Sequence, residues 1–171
     1  MPPVTRTFLE LSALSALRPG RPLTRPVALA RRRPIAAAEY RALYDLVGER
    51  WLWRDRRIWS DQELDTYLAS PYVHVWSATQ DDEIVGFFEL HQHEASIVEI
   101  MYFGLAPQFI GVGLGGWLLT RAAEEAFALG AASIVLNTCT LDSPHALPNY
   151  LARGFHIVRE EQYQADLPRE H

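Results

Sequence analysis

Four glycines, Gly111, Gly113, Gly115 and Gly116, stand between an apolar run from Ile97 to Leu105 and a segment with helical spacing from Leu114 to Leu129. Strand, glycine turn and helix make an anion site. Glycine lets a ligand approach the backbone closely, and the N–H groups of a helix's first turn lack internal partners and carry the positive end of the helix dipole. The chemistry indicated is the binding of a phosphorylated ligand by the backbone of Ile110, Gly111, Val112, Gly113, Leu114 and Gly115. A dinucleotide fingerprint also fits Gly111, Gly113 and Gly116, but the next strand, Ala132 to Thr138, ends without the acid a ribose needs. A Walker loop is excluded because the chain contains no lysine. Glu99 interrupts the apolar strand. By the two-residue period its face is shared with Ile97, Met101 and Phe103, so its carboxylate is expected to be partly desolvated, as suits a base; pairing with an arginine is the alternative. His91 ends the preceding apolar run, and a hairpin turning near Glu94 and Ala95 sets it about opposite Glu99. Glu89, His91 and His93 lack a closing ligand from elsewhere in the chain, so no metal is expected.

Two blocks carry a resemblance to a known family. EIMYFGLAPQFIGVGLGGWLL resembles the coenzyme A block of the GCN5-related N-acetyltransferases (GNAT), and ALPNYLARGF, Ala146 to Phe155, resembles that family's A-x-x-L-Y-x-x-x-G-F block. The resemblance extends from about Arg25 to the end of the chain. It implies a GNAT-like α/β fold, a twisted, mostly antiparallel sheet whose fourth and fifth strands splay apart, and acetyl-CoA as cosubstrate. It further implies that Phe103, Gly104 and Leu105 run along the pantetheine and thioester, with the N–H of Leu105 facing the carbonyl oxygen. Glu99 matches the position of a catalytic glutamate in some members, with His91 as partner in a water relay. Tyr150 matches the tyrosine that protonates, or hydrogen-bonds, the departing thiolate. There are departures. Ile110 stands where the family prefers Arg or Gln, Ser143 where an asparagine is frequent, and Pro148 interrupts the short helix expected over Pro148 to Ala152 and delays its start. Asn149 is a substitute for the missing amide.

The implied activity is transfer of an acetyl group to a primary amine, on a small molecule or peptide, by direct attack. The alternatives are a non-catalytic acyl-CoA sensor and, more remotely, a nucleotide-dependent oxidoreductase. Composition agrees with a single domain over residues 1–171, of which 1–25 form an extension with an extra strand at Thr7 to Leu11. The net charge of -5 excludes wholesale attraction to nucleic acid, and no apolar run spans a membrane. All 16 basic residues are arginine, and those between Arg31 and Arg57 read as solvated faces or as partners for a phosphate or an acidic substrate. The single Cys139 fits a reducing cytoplasm and reads as buried filler. A homodimer through exposed strand edges is expected from the resemblance.

The elements that must position these groups follow from periodicity. A first strand is expected in VALARRR, then a helix from Ala36 to Val47 stopped by Gly48, and a second helix capped by Ser60 or Asp61 with Leu64, Tyr67 and Leu68 inward. Between the helices, Trp51, Trp53 and Trp59 serve as core or as an acceptor wall. Strands at Tyr72 to Ala78, Ile84 to His91 and Ile97 to Leu105 form a meander, and two more, near Phe155 to Val158 and Gln162 to Leu167, complete the sheet.

Overall fold

The computed structural model describes residues 3–164. Its seven strands are β1 (Pro3–Leu11), β2 (Ala28–Arg31), β3 (Val73–Gln80), β4 (Glu83–Gln92), β5 (Ile97–Leu105), β6 (Ser133–Cys139) and β7 (His156–Gln164). Its four α-helices are α1 (Ala37–Gly48), α2 (Asp61–Leu68), α3 (Leu114–Ala128) and α4 (Ala146–Ala152). The strands form one sheet in the order β2-β3-β4-β5-β6-β1-β7. Every pairing is antiparallel except β5 with β6, so the sheet is mixed, as expected. One apolar layer packs α3 and Tyr150 of α4 against Leu9, Phe88, Leu90, Val98, Ile100 and Ile134. The other packs α1 and α2, through Tyr40, Tyr44, Leu64 and Leu68, against Val73, Val75 and Phe87. Among the described residues no helix is long and apolar enough to cross a membrane.

Local chemistry explains most boundaries. Ser60 caps α2, its hydroxyl accepting from the Glu63 N–H at 3.1 Å, and leaves Asp61 and Glu63 in the first turn where the dipole favours acids. The β3–β4 turn places Asp81 and Asp82 at positive φ, a conformation short polar side chains tolerate. Four sequence expectations need correction. The strand foreseen at Thr7 to Leu11 begins at Pro3 and lies inside the sheet, bonded to β6 on one side and β7 on the other. The two C-terminal strands are one, β7, because its ladder with β1 runs on from Arg159 to Gln162 past a one-residue bulge at Val158; residues 165–167 lie outside the described part. Helix α4 starts at Ala146, ahead of Pro148, because a first-turn residue needs no intrahelical N–H bond.

The fourth correction bears on the site. Glu89 pairs with Tyr102 and Leu90 with Ile100, so Met101 is an extra residue in β5, a bulge that resets the alternation of faces. Tyr102 consequently joins the layer against α1, while Phe103 packs on the α3 side with Ile100. Phe103 and Glu99 therefore do not share a face, as strict period two required.

Candidate active site

The site is a gap in the sheet. Strands β5 and β6 are paired only from Ile97 to Glu99 against Ser133 to Val135, and then part. Beyond that point lies a cavity of about 680 Å³, bounded by β5 from Glu99 to Leu105, by Asn137, Cys139 and Asp142 after β6, and by α4 at Asn149 and Tyr150. The β5 backbone is thus left without a neighbour on one edge. The N–H of Ala106 donates to the Val85 carbonyl at 2.7 Å, and the next pair, Gly86 with Leu105, is in register. In an antiparallel ladder the groups of successive pairs point to opposite edges, so the Leu105 N–H is turned toward the gap.

Helix α3 closes one end. Its N-cap is Gly113, with φ of 85°, and no side chain caps the helix. Gly111 also has positive φ, 83°, and a Cβ at either glycine would meet nothing within 4 Å. Open space, glycines and an uncapped 15-residue helix suit a diphosphate held by backbone N–H groups. Ile110, Gly111 and Gly115 line the cavity. Val112 points to solvent at 64% exposure, and Leu114 is buried against the core, so these two, with Gly113, offer backbone only. The amide nitrogen of Asn149 donates to the Gly115 carbonyl at 3.0 Å, which ties α4 to the first turn of α3.

Tyr150 lines the cavity with its ring buried beside Phe103 and Phe155, at centroid distances of 6.2 and 6.1 Å. Burial, and secondarily the Asp142 carboxylate, push its phenol above the ordinary tyrosine range, so it keeps its proton. Asp142 is a fixed charge. One oxygen accepts from Thr138 Oγ1 at 2.6 Å and the Cys139 N–H at 2.9 Å, and the other from the Trp53 indole N–H at 3.4 Å. Cys139 borders the cavity and is not buried, because the strand that would cover it has parted.

Glu99 opens onto the cavity, its side chain 23% exposed. His91 is its register partner, as the hairpin implied, but the side-chain bond to Glu99 comes from His93, whose Nε2 lies 2.9 Å from Oε1. His91 is instead stacked on the His93 ring at 4.5 Å and set edge-on to Tyr67; burial first, then His93, lowers its pKa. Among the described residues no group of three or more His, Cys, Asp or Glu side chains is placed to hold a metal ion.

The other wall comes from α1 and the segment after it: Tyr44, Val47, Trp51, Leu52, Trp53 and Asp55 face the cavity. Behind it Glu89, fully buried, accepts hydrogen bonds from Tyr40, from Tyr67 at 2.6 Å and from Arg56 at 3.0 Å. The Arg56 guanidinium lies over Trp59, Tyr67 and Tyr102 at 4.2, 4.5 and 5.1 Å. Arg56 is 6% exposed and so leaves the solvated face on which its neighbours lie. The sequence reading named neither Asp142 nor Tyr102 and gave His93 no part beside Glu99. Only the three arginines among clustered tryptophans, Arg54, Arg56 and Arg57, hinted at a buried cation.

Comparison with known proteins agrees with this geometry. The Acetyltransferase (GNAT) family matches residues 40–155. A mycothiol acetyltransferase of Corynebacterium glutamicum (strain R) is 30% identical over 123 residues, covering 69% of this chain; the chain spans 41% of that relative's length. A GCN5-related N-acetyltransferase from Kribbella flavida superposes with a TM-score of 0.64 at 16% identity, over 90% of this chain and 54% of that one. An aminoglycoside acetyltransferase from an uncultured soil metagenomic sample does so with a TM-score of 0.61 at 22% identity, over 85% and 99%. With a family match across most of the chain and a parted β5–β6 pair beside a glycine-capped helix, the chain belongs to the Acetyltransferase (GNAT) family.

Proposed function

We propose that this chain transfers an acetyl group from acetyl-CoA to a primary amine by direct attack. The observation that carries the reading is the gap between β5 and β6, with an uncapped helix N-terminus at one end and Glu99 and Tyr150 opening into it. Acetyl-CoA supplies the activated acyl group as a thioester. The first turn of α3 and the backbone from Ile110 to Gly115 hold its diphosphate. Ile110 lacks the donor side chain that members of the family usually place there, so the main chain does most of that binding.

Each remaining task falls to a residue of this chain. The free edge of β5, with the N–H of Leu105, polarises the carbonyl where negative charge develops. Glu99 takes the proton of the attacking amine, directly or through water, and its bond to the partly exposed His93 gives that proton a path to solvent. Tyr150, kept protonated by burial and by Asp142, gives its proton to the departing sulfur. Cys139 is given no covalent role, since direct attack needs none.

The test is thiol release from acetyl-CoA with a panel of primary amines, alongside thermal stabilisation by the coenzyme. Turnover with at least one amine supports the transferase. Stabilisation without turnover across the panel identifies a sensor instead, and stabilisation by a nicotinamide dinucleotide rather than by coenzyme A overturns both.

A further inference from the structure

The wall facing Glu99 is built around one side chain. The Trp53 backbone N–H donates to the Gly48 carbonyl at 3.1 Å, and its indole lies where a Cβ on Gly48 would come within 2.3 Å of the ring. A Cβ on Gly104 of β5 would meet Val47 at 2.5 Å and the far edge of the same indole at 3.8 Å. Gly48 therefore leaves the room this ring occupies, and Gly104 leaves room for Val47 beside it. Tyr44 and Tyr102 brace it at 5.4 and 5.1 Å, and its N–H reaches across the gap to Asp142 at 3.4 Å. A side chain held at both ends and on both sides is a fixed surface.

This wall is largely apolar, while the polar side chains Asn137, Ser143, His145 and Gln164 line the cavity on the side of β6, α4 and β7. Val47, Trp51, Leu52 and Met101 extend the wall, and Leu52 is 45% exposed. The acids on this side are Glu99 and Asp55, and Asp55 already accepts from the Tyr102 hydroxyl at 3.4 Å; Arg54 stands beside them. Asp142 is engaged by Thr138, Cys139 and Trp53. A polyamine or amino sugar carries several ammonium or hydroxyl groups, and most would lie unpaired against indole and aliphatic carbon, which is costly. One nitrogen next to Glu99 with a flat apolar body along Trp53 and Leu52 leaves nothing polar unpaired.

Resting on the acetyl-transfer reading, we propose that the acceptor is an arylalkylamine, a primary amine a few bonds from an aromatic ring, and that Trp53 determines this specificity. The aminoglycoside acetyltransferase shares the fold at an identity too low to carry its acceptor across.

The test is thiol release from acetyl-CoA with 2-phenylethylamine, tryptamine, spermidine and kanamycin. The two arylalkylamines are expected to exceed the others in kcat/KM by at least about tenfold. Trp53→Ala raises KM for the arylalkylamines by about tenfold with kcat largely kept, while Trp53→Phe retains most of the preference. Leu52→Asn alters the exposed part of the wall without entering the core, and raises the same KM severalfold even if Trp53→Ala fails to fold. A better kcat/KM with spermidine or kanamycin overturns the assignment, as do equal losses on all four amines in the variants. No thiol release with any amine, despite stabilisation by the coenzyme, overturns the transferase reading itself and the acceptor with it.

Discussion

At Tyr150 two effects act in one direction: burial disfavours the phenolate, and Asp142, held by Thr138 and the Cys139 N–H, disfavours it further. A phenol in that state keeps the proton that the proposed reaction gives to the departing sulfur. Tyr150→Phe is therefore expected to lower kcat by about 100-fold while coenzyme affinity stays near that of the parent; equal kcat would remove the donor role. In the proposed reaction Glu99 serves the opposite half. Its Gln variant should lose most rate at low pH, where the amine depends on help to lose its proton, and a loss independent of pH would make the residue structural. Tyr150 and Glu99, which both line the cavity, were singled out in the sequence, one through a motif and the other as an acid in an apolar strand. Asp142 was not, because its importance comes from three bonds to elements that the local sequence does not mention.

Among the elements, β5 gives the cavity its shape. Its bulge at Met101 turns Tyr102 toward α1, and its departure from β6 after Glu99 frees one backbone edge. The segment between α1 and α2 is held against it by Arg56, whose charge is buried with Glu89 and roofed by Trp59, Tyr67 and Tyr102. Opposite charge makes the strongest attraction, but each partner depends on the other for solvation. Arg56→Met is expected to cost about 3 to 5 kcal/mol in chemical unfolding. In a double-mutant cycle with Glu89→Gln the two losses should sum to more than the double variant shows; strict additivity would mean that the two charges do not interact. Most helices and strands here were readable from periodicity to within a residue or two, while the start of β1 and the continuity of β7 were not. The bulge was not, since one added residue leaves the composition of a strand unchanged and is fixed only by pairing with β4.

For the molecule as a whole, stability should depend on mild acid. His74, buried in β3, bonds through Nε2 to Gln92 at 2.7 Å and through Nδ1 to Arg31. Burial is the main cause lowering its pKa below 6.5, the Gln92 bond opposes this, and the charge of Arg31 adds to the lowering; His91 is shifted the same way. A lowered histidine pKa means the unfolded chain binds more protons than the folded one. Stability is therefore full above about 6.5 and falls as pH drops below it, by up to about 1.4 kcal/mol per unit for each such group. Melting temperature measured from pH 7.5 to 5 should show this decline, and His74→Gln should flatten it; an unchanged slope would assign the decline elsewhere. Strand β1 extends the same theme of distant parts acting together. It comes first in the chain yet lies between β6 and β7, so the two ends of the described chain complete one sheet. By itself the sequence determined the family's strand–glycine–helix cradle, the tyrosine motif and most element boundaries, because turns, caps and periodicity act over a few residues. Only the tertiary structure decided where β1 inserts, which histidine meets Glu99, and that Trp53 and Asp142 meet across the gap, because these are set by register and packing between residues far apart in the chain.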